Sequence, residues 1–268
     1  MFALRLDKVR QLDPLREGEN LLFKKYAKTL EEYRLKMEDF EDVYGRETIE
    51  KDRAFLEALK AKEDAKTDRG VLLEGILAEH AELSNWFGQD SSVIPLSEYD
   101  DRLAHGDLVL EMGEEEKVRI LMDVTSSVAQ NTLEKKIDRS IDSIKAGRLS
   151  KIKYFESGDF KGRLEYVPRV VVGLNPETLR EFCDDVLQDK NRQEKNPLQM
   201  MLLDEMLHQL TFMYETAKEV RGKDDRAAEE IKKALKLIQD LSIKKESLRD
   251  HDYDRKANAD WAYKALTS

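Results

Sequence analysis

The alternation of apolar and polar residues is clearest in the middle of the chain, where it predicts a β-hairpin. Two runs rich in Val, Ile, Leu and Met, 106–111 and 118–125, are joined by the polar segment 113–117. Apolar runs of strand length on either side of a short turn with a glycine are typical of antiparallel hairpins. Asp107 lies at the start of the first run and Asp123 near the end of the second. Because hairpin strands run in opposite directions, we expect these aspartates to lie side by side at the open end.

Both ends of the chain have the spacing of amphipathic helices. Across 23–44, large apolar residues recur at alternating intervals of three and four, which is the pattern of a coiled-coil seam. The same spacing covers 203–220, and a further helical pattern covers 231–241. We therefore expect helical extensions at 1–66 and 191–268. Two interpretations stay open: the helices bury each other's apolar faces, or they form a homodimer or bind a partner.

The region 67–190 differs, because strand and helix patterns alternate along it. The expected order is a helix at 71–87, a short strand or loop at 92–96, the hairpin, a helix at about 130–146, a strand at 149–155, a buried strand at 169–174 and a helix at 177–187. Asn175 and Pro176 are typical residues at the start of such a helix. This order predicts an α/β (α+β) fold, in which a small mixed sheet is flanked by helices.

The composition excludes several classes of function but does not identify one. The chain has 268 residues, 38% of them charged, and a net charge of −10, so any contact with nucleic acid needs a local basic face. A single cysteine, Cys183, excludes a disulfide within the chain and fits a reducing cytoplasm. No apolar run approaches the roughly 18 residues of a membrane span, so we expect a soluble cytoplasmic protein without membrane contact. The four histidines lack the spacing of zinc ligands, and no glycine-rich phosphate loop is present.

The two aspartates are the first candidate site. Adjacent carboxylates repel each other unless a cation or a proton lies between them, and oxygen ligands suit Mg²⁺ or Mn²⁺. Glu79 falls on the apolar stripe of the helix at 71–87, where an unpaired carboxylate is costly. The alternatives are that Asp107 and Asp123 only cap loops in water, and that Glu79 reaches solvent or an arginine at the edge of the stripe.

This order of elements, with an acid on the first helix and an aspartate on each hairpin strand, resembles the PD-(D/E)xK nuclease superfamily over about residues 70–175. The family motif is an aspartate, a variable gap, and then Asp or Glu, any residue and Lys. Asp107 matches the first aspartate, although Gly106 precedes it in place of proline. Asp123 matches the second acid, Val124 is the middle residue, and Thr125 occupies the lysine position.

The missing lysine matters for the activity that the resemblance implies. In the family, the lysine orients the attacking water and stabilises charge on the phosphate, which Thr125 cannot do. Some members carry this lysine on a neighbouring helix, and this chain has Lys135 and Lys136 on the helix after the hairpin. Lys136 borders the predicted buried stripe and is the better substitute. Without a substitute, the site would be slow or inactive.

The resemblance implies phosphodiester hydrolysis assisted by Mg²⁺ or Mn²⁺. It implies that Asp107, Asp123 and the carbonyl of Val124 hold the ion, with Glu79 as a further ligand. The ion would lower the pKa of a bound water and stabilise the developing charge on the phosphate.

A local basic stretch is the second candidate site. Seven cations and three acids give residues 131–155 a net charge of +4 within an acidic chain. The candidate nucleic-acid-binding residues are Lys135, Arg139, Lys145, Arg148, Lys151 and Lys153. A polyanion could bind there. The alternative is a solvated helix with ion pairs worth roughly 0.2–0.5 kcal/mol each.

Two hypotheses of function follow. The first is a Mg²⁺-dependent nuclease that hydrolyses nucleic acid. The second is a catalytically degenerate protein with a nuclease-like core, which serves as a scaffold through its helical extensions. Thr125 and the repeats at both ends favour the second hypothesis, whereas the paired acids and the basic stretch favour the first.

Overall fold

The computed structural model describes residues 14–61, 67–126, 130–188, 190–220 and 225–267. The helices are Glu17–Tyr33 (α1), Glu41–Tyr44 (α2), Arg46–Lys60 (α3), Asp68–Leu83 (α4), Glu98–Ala104 (α5), Gln130–Lys145 (α6), Pro176–Gln188 (α7), Leu198–Glu219 (α8), Asp225–Lys244 (α9), His251–Ala259 (α10) and Trp261–Leu266 (α11). The strands are Ser91–Pro95 (β1), Leu108–Met112 (β2), Val118–Thr125 (β3), Ser150–Ser157 (β4), Phe160–Val167 (β5) and Arg169–Gly173 (β6). The fold is α+β, as the sequence pattern predicts.

The central sheet has the strand order β1-β2-β3-β6. Strands β1, β2 and β3 form an antiparallel meander, and β6 lies parallel to β3. The chain between β3 and β6 contains α6 and a second sheet, which has two strands, β4 and β5. The predicted hairpin is confirmed, since Leu108 pairs with Met122 and Met112 pairs with Val118.

The two faces of the central sheet are covered by different elements. Alternate residues such as Leu110 and Met122 pack into a large core with α1, α4, α7, α8 and α9. On the opposite face, Val109 and Leu121 pack against the β4-β5 sheet. Val171 packs on that face against α6 and α11. The same alternation directs Asp107, Asp123 and Arg169 toward this second face.

The regular 3-4 spacing over 23–44 suggests one helix, and this expectation is wrong. Helix α1 ends at Tyr33, and Arg34 adopts an extended conformation with ψ 128°. The Arg34 guanidinium donates to the Leu96 carbonyl (3.2 Å), and the Leu35 N–H donates to the Pro95 carbonyl (3.3 Å). These contacts bind the chain to the end of β1, so the 3-4 spacing continues through a change of direction.

The helices at both ends bury their apolar faces within the chain. Leu22, Tyr26 and Leu30 of α1 belong to the large core and face α4, while α8 packs along α9 and β6. Gly75 of α4 permits this contact, because a Cβ there would overlap the Cβ of Tyr26. Within the described ranges, no helix is long and apolar enough to cross a membrane.

The outer edge of β6 is closed by side chains of α8. The amide of Gln209 accepts the Val171 N–H (2.8 Å) and donates to the Val171 carbonyl (2.6 Å). A carboxylate oxygen of Glu205 accepts the Gly173 N–H (3.0 Å). A side-chain amide and a carboxyl group thus take the hydrogen bonds that a further strand would make.

Candidate active site

Asp107 and Asp123 meet at the open end of the hairpin. Continuing the β2-β3 register by one residue places them opposite each other. The Asp107 N–H donates to the Met122 carbonyl (2.8 Å), and its carboxylate accepts the Val124 N–H (2.6 Å). Asp107 therefore bonds to both chain neighbours of Asp123. Both aspartates are buried, with exposures of 6% and 5%.

Each oxygen of the Asp123 carboxylate has a cationic partner. The Lys136 ammonium lies 2.5 Å from one oxygen, and the Arg169 guanidinium bonds to the other. The Lys136 side chain is 25% exposed, whereas that of Arg169 is 5% exposed. The site therefore has one cation that solvent can reach and one that is enclosed.

Arg169 is the functional residue that the sequence pattern did not predict. It also donates to the His105 carbonyl (2.5 Å), to the Lys136 carbonyl (3.2 Å) and to the Ser140 hydroxyl (2.9 Å). It thus joins the end of α5, the middle of α6 and the start of β6. The available signal was a lone arginine at the start of an apolar buried strand, where an unpaired charge is costly.

The two residues that differ from the PD-(D/E)xK motif, Gly106 and Thr125, lie in closely packed surroundings. The Gly106 N–H donates to the Asp101 carbonyl (3.3 Å), and a Cβ at position 106 would overlap the side chain of Leu121. Proline there would lack the N–H and would add atoms where Leu121 lies. Thr125 is 8% exposed, and a Cβ added at Gly173 would lie 2.7 Å from its carbonyl oxygen. The end of β3 is thus in close contact with β6.

Glu79 pairs with a cation from a neighbouring helix. Its carboxylate forms a salt bridge with Lys25 of α1. The predicted inward stripe is wrong at its end, because Leu83 is 69% exposed. The fully buried acid of α4 is instead Glu74, which is 1% exposed and has the Arg34 guanidinium at 4.0 Å.

Asp107 and Asp123 are the acids at this site that could contribute oxygen ligands to a metal ion. Among the described residues, no group of three or more His, Cys, Asp or Glu could hold a metal ion. Asp107 and Asp123 thus form a two-carboxylate set. Mg²⁺ is commonly bound by one or two carboxylates together with water and substrate phosphates. An ion at this pair would require the Lys136 ammonium to move away from Asp123, and the exposure of Lys136 permits that movement.

The six candidate residues for nucleic-acid binding divide into two groups. Lys135, Arg139 and Lys145 are exposed on α6. The other three, Arg148, Lys151 and Lys153, line one cleft of about 440 Å³ between α5, the end of α6 and the β4-β5 sheet. Arg163 of β5, which was not predicted, lines the same cleft.

Similarity to known proteins assigns no function. Comparison with protein-family models, with curated proteins and with solved structures finds no significant match to this chain. Any assignment therefore depends on the residues and the topology described above.

Proposed function

We propose that the protein is a Mg²⁺- or Mn²⁺-dependent nuclease of the restriction-endonuclease-like type. The observation that carries the proposal is the contact between the Lys136 ammonium and Asp123, beside Asp107. A lysine next to two paired carboxylates is the set of groups that metal-assisted phosphodiester hydrolysis uses.

The topology supports the same proposal. The chain follows the order α4, β1, β2, β3, α6, β6, with β6 parallel to β3. This is the order of elements on which the resemblance to the PD-(D/E)xK superfamily depends. Helix α5 and the β4-β5 sheet are additions to that order. Fold alone does not determine activity, so the site residues carry the argument.

Lys136 supplies the charge that Thr125 lacks. It lies on α6, two turns into the helix that follows β3, and reaches Asp123 from the partly exposed side. A phosphate that approaches Asp107 and Asp123 would attract this ammonium away from Asp123. The ammonium would then donate to a phosphate oxygen and offset the negative charge that grows as water attacks.

Asp107, Asp123 and the carbonyl of Val124 would hold the ion, whose chemistry is to acidify a bound water and to polarise the phosphate. The residues of the chain have separate tasks. Arg169 keeps Asp123 oriented when Lys136 leaves it, because its guanidinium also bonds to α5 and α6. In the reaction, an oxygen–phosphorus bond forms with water, the bond to the leaving sugar oxygen breaks, and that oxygen takes up a proton.

A second candidate is a catalytically degenerate scaffold with a nuclease-like core. The observation in its favour is that both oxygens of Asp123 already have cationic partners and that Asp107 accepts a backbone N–H. Such a site balances its own charge. A homodimer through the outer faces of the end helices belongs to this candidate, and sedimentation at micromolar concentration would test it.

The deciding experiment is cleavage of labelled single-stranded and duplex DNA and RNA with Mg²⁺, with Mn²⁺ and with EDTA. We expect cleavage by the native protein with either metal. We expect the loss of about 100-fold or more in rate for Asp123→Asn and for Lys136→Met, since each removes a group that stabilises charge at the phosphate. Lys24→Met is the matched control, because Lys24 is an exposed lysine of α1.

Two outcomes would contradict the nuclease proposal. If the native protein cleaves none of the substrates with either metal, the scaffold is the better description. If Lys136→Met cleaves as fast as the control, Lys136 does not replace the lysine of the motif. Thermal unfolding of each variant separates the loss of chemistry from the loss of fold.

A further inference from the structure

The cleft between α5, the end of α6 and the β4-β5 sheet concentrates positive charge in a concave surface. Its volume is about 440 Å³. Its polar and aromatic lining consists mainly of Arg148, Lys151, Lys153, Arg163, Tyr99 and Ser143. Cations, a hydroxyl group and an aromatic ring in one cavity are the groups that bind a phosphate and a neighbouring base.

The end of α6 presents Arg148 to this cleft. Gly147 takes the left-handed conformation (φ 71°). Its N–H donates to the Ile144 carbonyl (2.8 Å), and the Arg148 N–H donates to the Ser143 carbonyl (2.9 Å). This pair of hydrogen bonds is a Schellman motif, which ends the helix and fixes the direction of the next residue. Arg148 is exposed and forms no ion pair with any described residue.

The other cations of the cleft differ in how firmly they are held. Lys151 and Arg163 share Glu165, at 2.6 and 3.8 Å, and all three side chains are at least 37% exposed. Exposed pairs of this kind are weak, so either cation can exchange Glu165 for another anion. Lys153 instead pairs with Asp52 and lies over the rings of Tyr44, Tyr99 and Tyr154. Its charge is thus compensated by Asp52, and its ammonium is held in a fixed position at the back of the cleft.

The acidic residue in the wall of the cleft, Asp100, already accepts hydrogen bonds from groups within the protein. Asp100 is 2% exposed and accepts the backbone N–H groups of Lys153 (2.7 Å) and Tyr154 (2.9 Å). It also accepts the Ser97 hydroxyl (2.8 Å). The Asp100 carboxyl group is therefore occupied by donors within the protein.

The cleft and the candidate active site share two elements, α5 and α6. Ala104 lines the cleft, and the carbonyl of the next residue, His105, accepts a hydrogen bond from Arg169. Ser143 lines the cleft one turn of α6 after Ser140, which also binds Arg169. The cleft and the aspartate pair therefore lie at neighbouring parts of α5 and α6.

We propose that this cleft binds the phosphodiester backbone of a single nucleic-acid strand outside the reacting phosphate. Arg148, Lys151 and Arg163 contact phosphate oxygens, and Tyr99 lines the same cleft beside them. The proposal deepens the proposed nuclease function and rests on it for the choice of a polynucleotide. Both α5 and the β4-β5 sheet are additions to the common order of elements, so the cleft is a feature of this chain.

The test is equilibrium binding of a labelled single-stranded oligonucleotide, a duplex of the same sequence, and inorganic phosphate as a competitor, all in EDTA across a salt series. The test variant combines Arg148→Gln, Lys151→Gln and Arg163→Gln. The control makes the same change in charge on α1 and α9, which cover the other face of the sheet. It replaces three exposed lysines that form no ion pair with any described residue: Lys24→Gln, Lys236→Gln and Lys244→Gln.

We expect the native protein and the control to bind the single strand more tightly than the duplex. The test variant should bind the single strand about tenfold or more weakly, and the slope of log affinity against log salt should fall by roughly 2, because three phosphate contacts are lost. Equal slopes for the test variant and the control would overturn the proposal. Tighter binding of the duplex would overturn the assignment to a single strand, and the absence of oligonucleotide binding by the native protein would overturn the proposal.

Because EDTA removes divalent metal, this measurement does not depend on catalysis. Binding through the cleft without cleavage in the presence of Mg²⁺ would support the inference and contradict the nuclease. If the cleft variant binds and cleaves nucleic acid as well as the native protein does, the result would support the nuclease and contradict the inference about the cleft. The two proposals can therefore fail separately.

Discussion

The two cations at Asp123 should have different effects when each is replaced by methionine. Arg169 is enclosed and bonds to four groups, whereas Lys136 lies at the rim and its ammonium bonds to Asp123. We expect Arg169→Met to lower the free energy of unfolding strongly and Lys136→Met to lower it slightly. The same Lys136→Met variant should lose cleavage, as stated above.

The magnitudes follow from burial. Arg169→Met leaves the Asp123 carboxylate, 5% exposed, with Lys136 as its cation, and it removes the donors to the His105 carbonyl and the Ser140 hydroxyl. Breaking a buried pair in this way costs about 3–5 kcal/mol. Lys136→Met keeps the enclosed pair and removes a partly exposed one, which costs about 1 kcal/mol or less. For a chain of this size, these values correspond to about 6–20 °C in Tm for Arg169→Met and a few degrees for Lys136→Met.

Urea denaturation of both variants, together with Asp123→Asn and the double variant Asp123→Asn/Arg169→Met, measures the difference. In the double variant, the loss should be smaller than the sum of the single losses, because Asp123→Asn already removes the charge with which Arg169 pairs. If both single variants are destabilised equally, or if Arg169→Met costs less than about 1 kcal/mol, the separation into a structural and a functional cation is wrong.

Two further changes test the packing around the sheet. Gly75→Ala should destabilise the protein by about 1–2 kcal/mol in urea, since overlap with Tyr26 outweighs the gain of about 1 kcal/mol in helix propensity; a stabilised variant would refute the close approach of α1 and α4. Burial raises the pKa of the Glu205 carboxyl group well above its ordinary value of 4.5. The folded protein therefore keeps a proton that the unfolded chain releases, and the free energy of unfolding falls as pH rises above 4.5. Glu205→Gln removes this loss and should raise Tm more at pH 8 than at pH 5, and an equal change at both pH values would contradict the burial argument.

Local signals in the sequence predicted the elements that position the site. The apolar runs and the turn at 113–117 predicted the hairpin, and Asn175 with Pro176 predicted the start of α7, where the Asn175 side chain accepts the Thr178 N–H (2.7 Å). The break after Tyr33 was not predictable, because it depends on hydrogen bonds to the distant Pro95 and Leu96 rather than on local spacing.

The candidate site was predictable in part for the same reason. Antiparallel pairing brings Asp107 to Asp123 without knowledge of the rest of the fold, and the helical stripe of α6 directs Lys136 toward the sheet. Arg169 pairs with Asp123 through the parallel contact of β6 with β3, which joins residues 46 positions apart. Arg163 reaches the cleft through β5, whose alternation is irregular because the β4-β5 register shifts twice. Long-range pairings of this kind leave no periodic signal.

The closure of β6 by Gln209 and Glu205 has a consequence for synthesis of the chain. Translation proceeds from the N-terminus, so β6 leaves the ribosome before α8. During that interval the Val171 and Gly173 backbone groups have no amide or carboxyl partner from α8, and an uncovered strand edge is a template for pairing with another nascent chain. Aggregation of translation intermediates is therefore expected to be greatest for chains that stop between the end of β6 and Gln209. A chaperone that protects such intermediates would need to act on that window and could release the chain once α8 has docked.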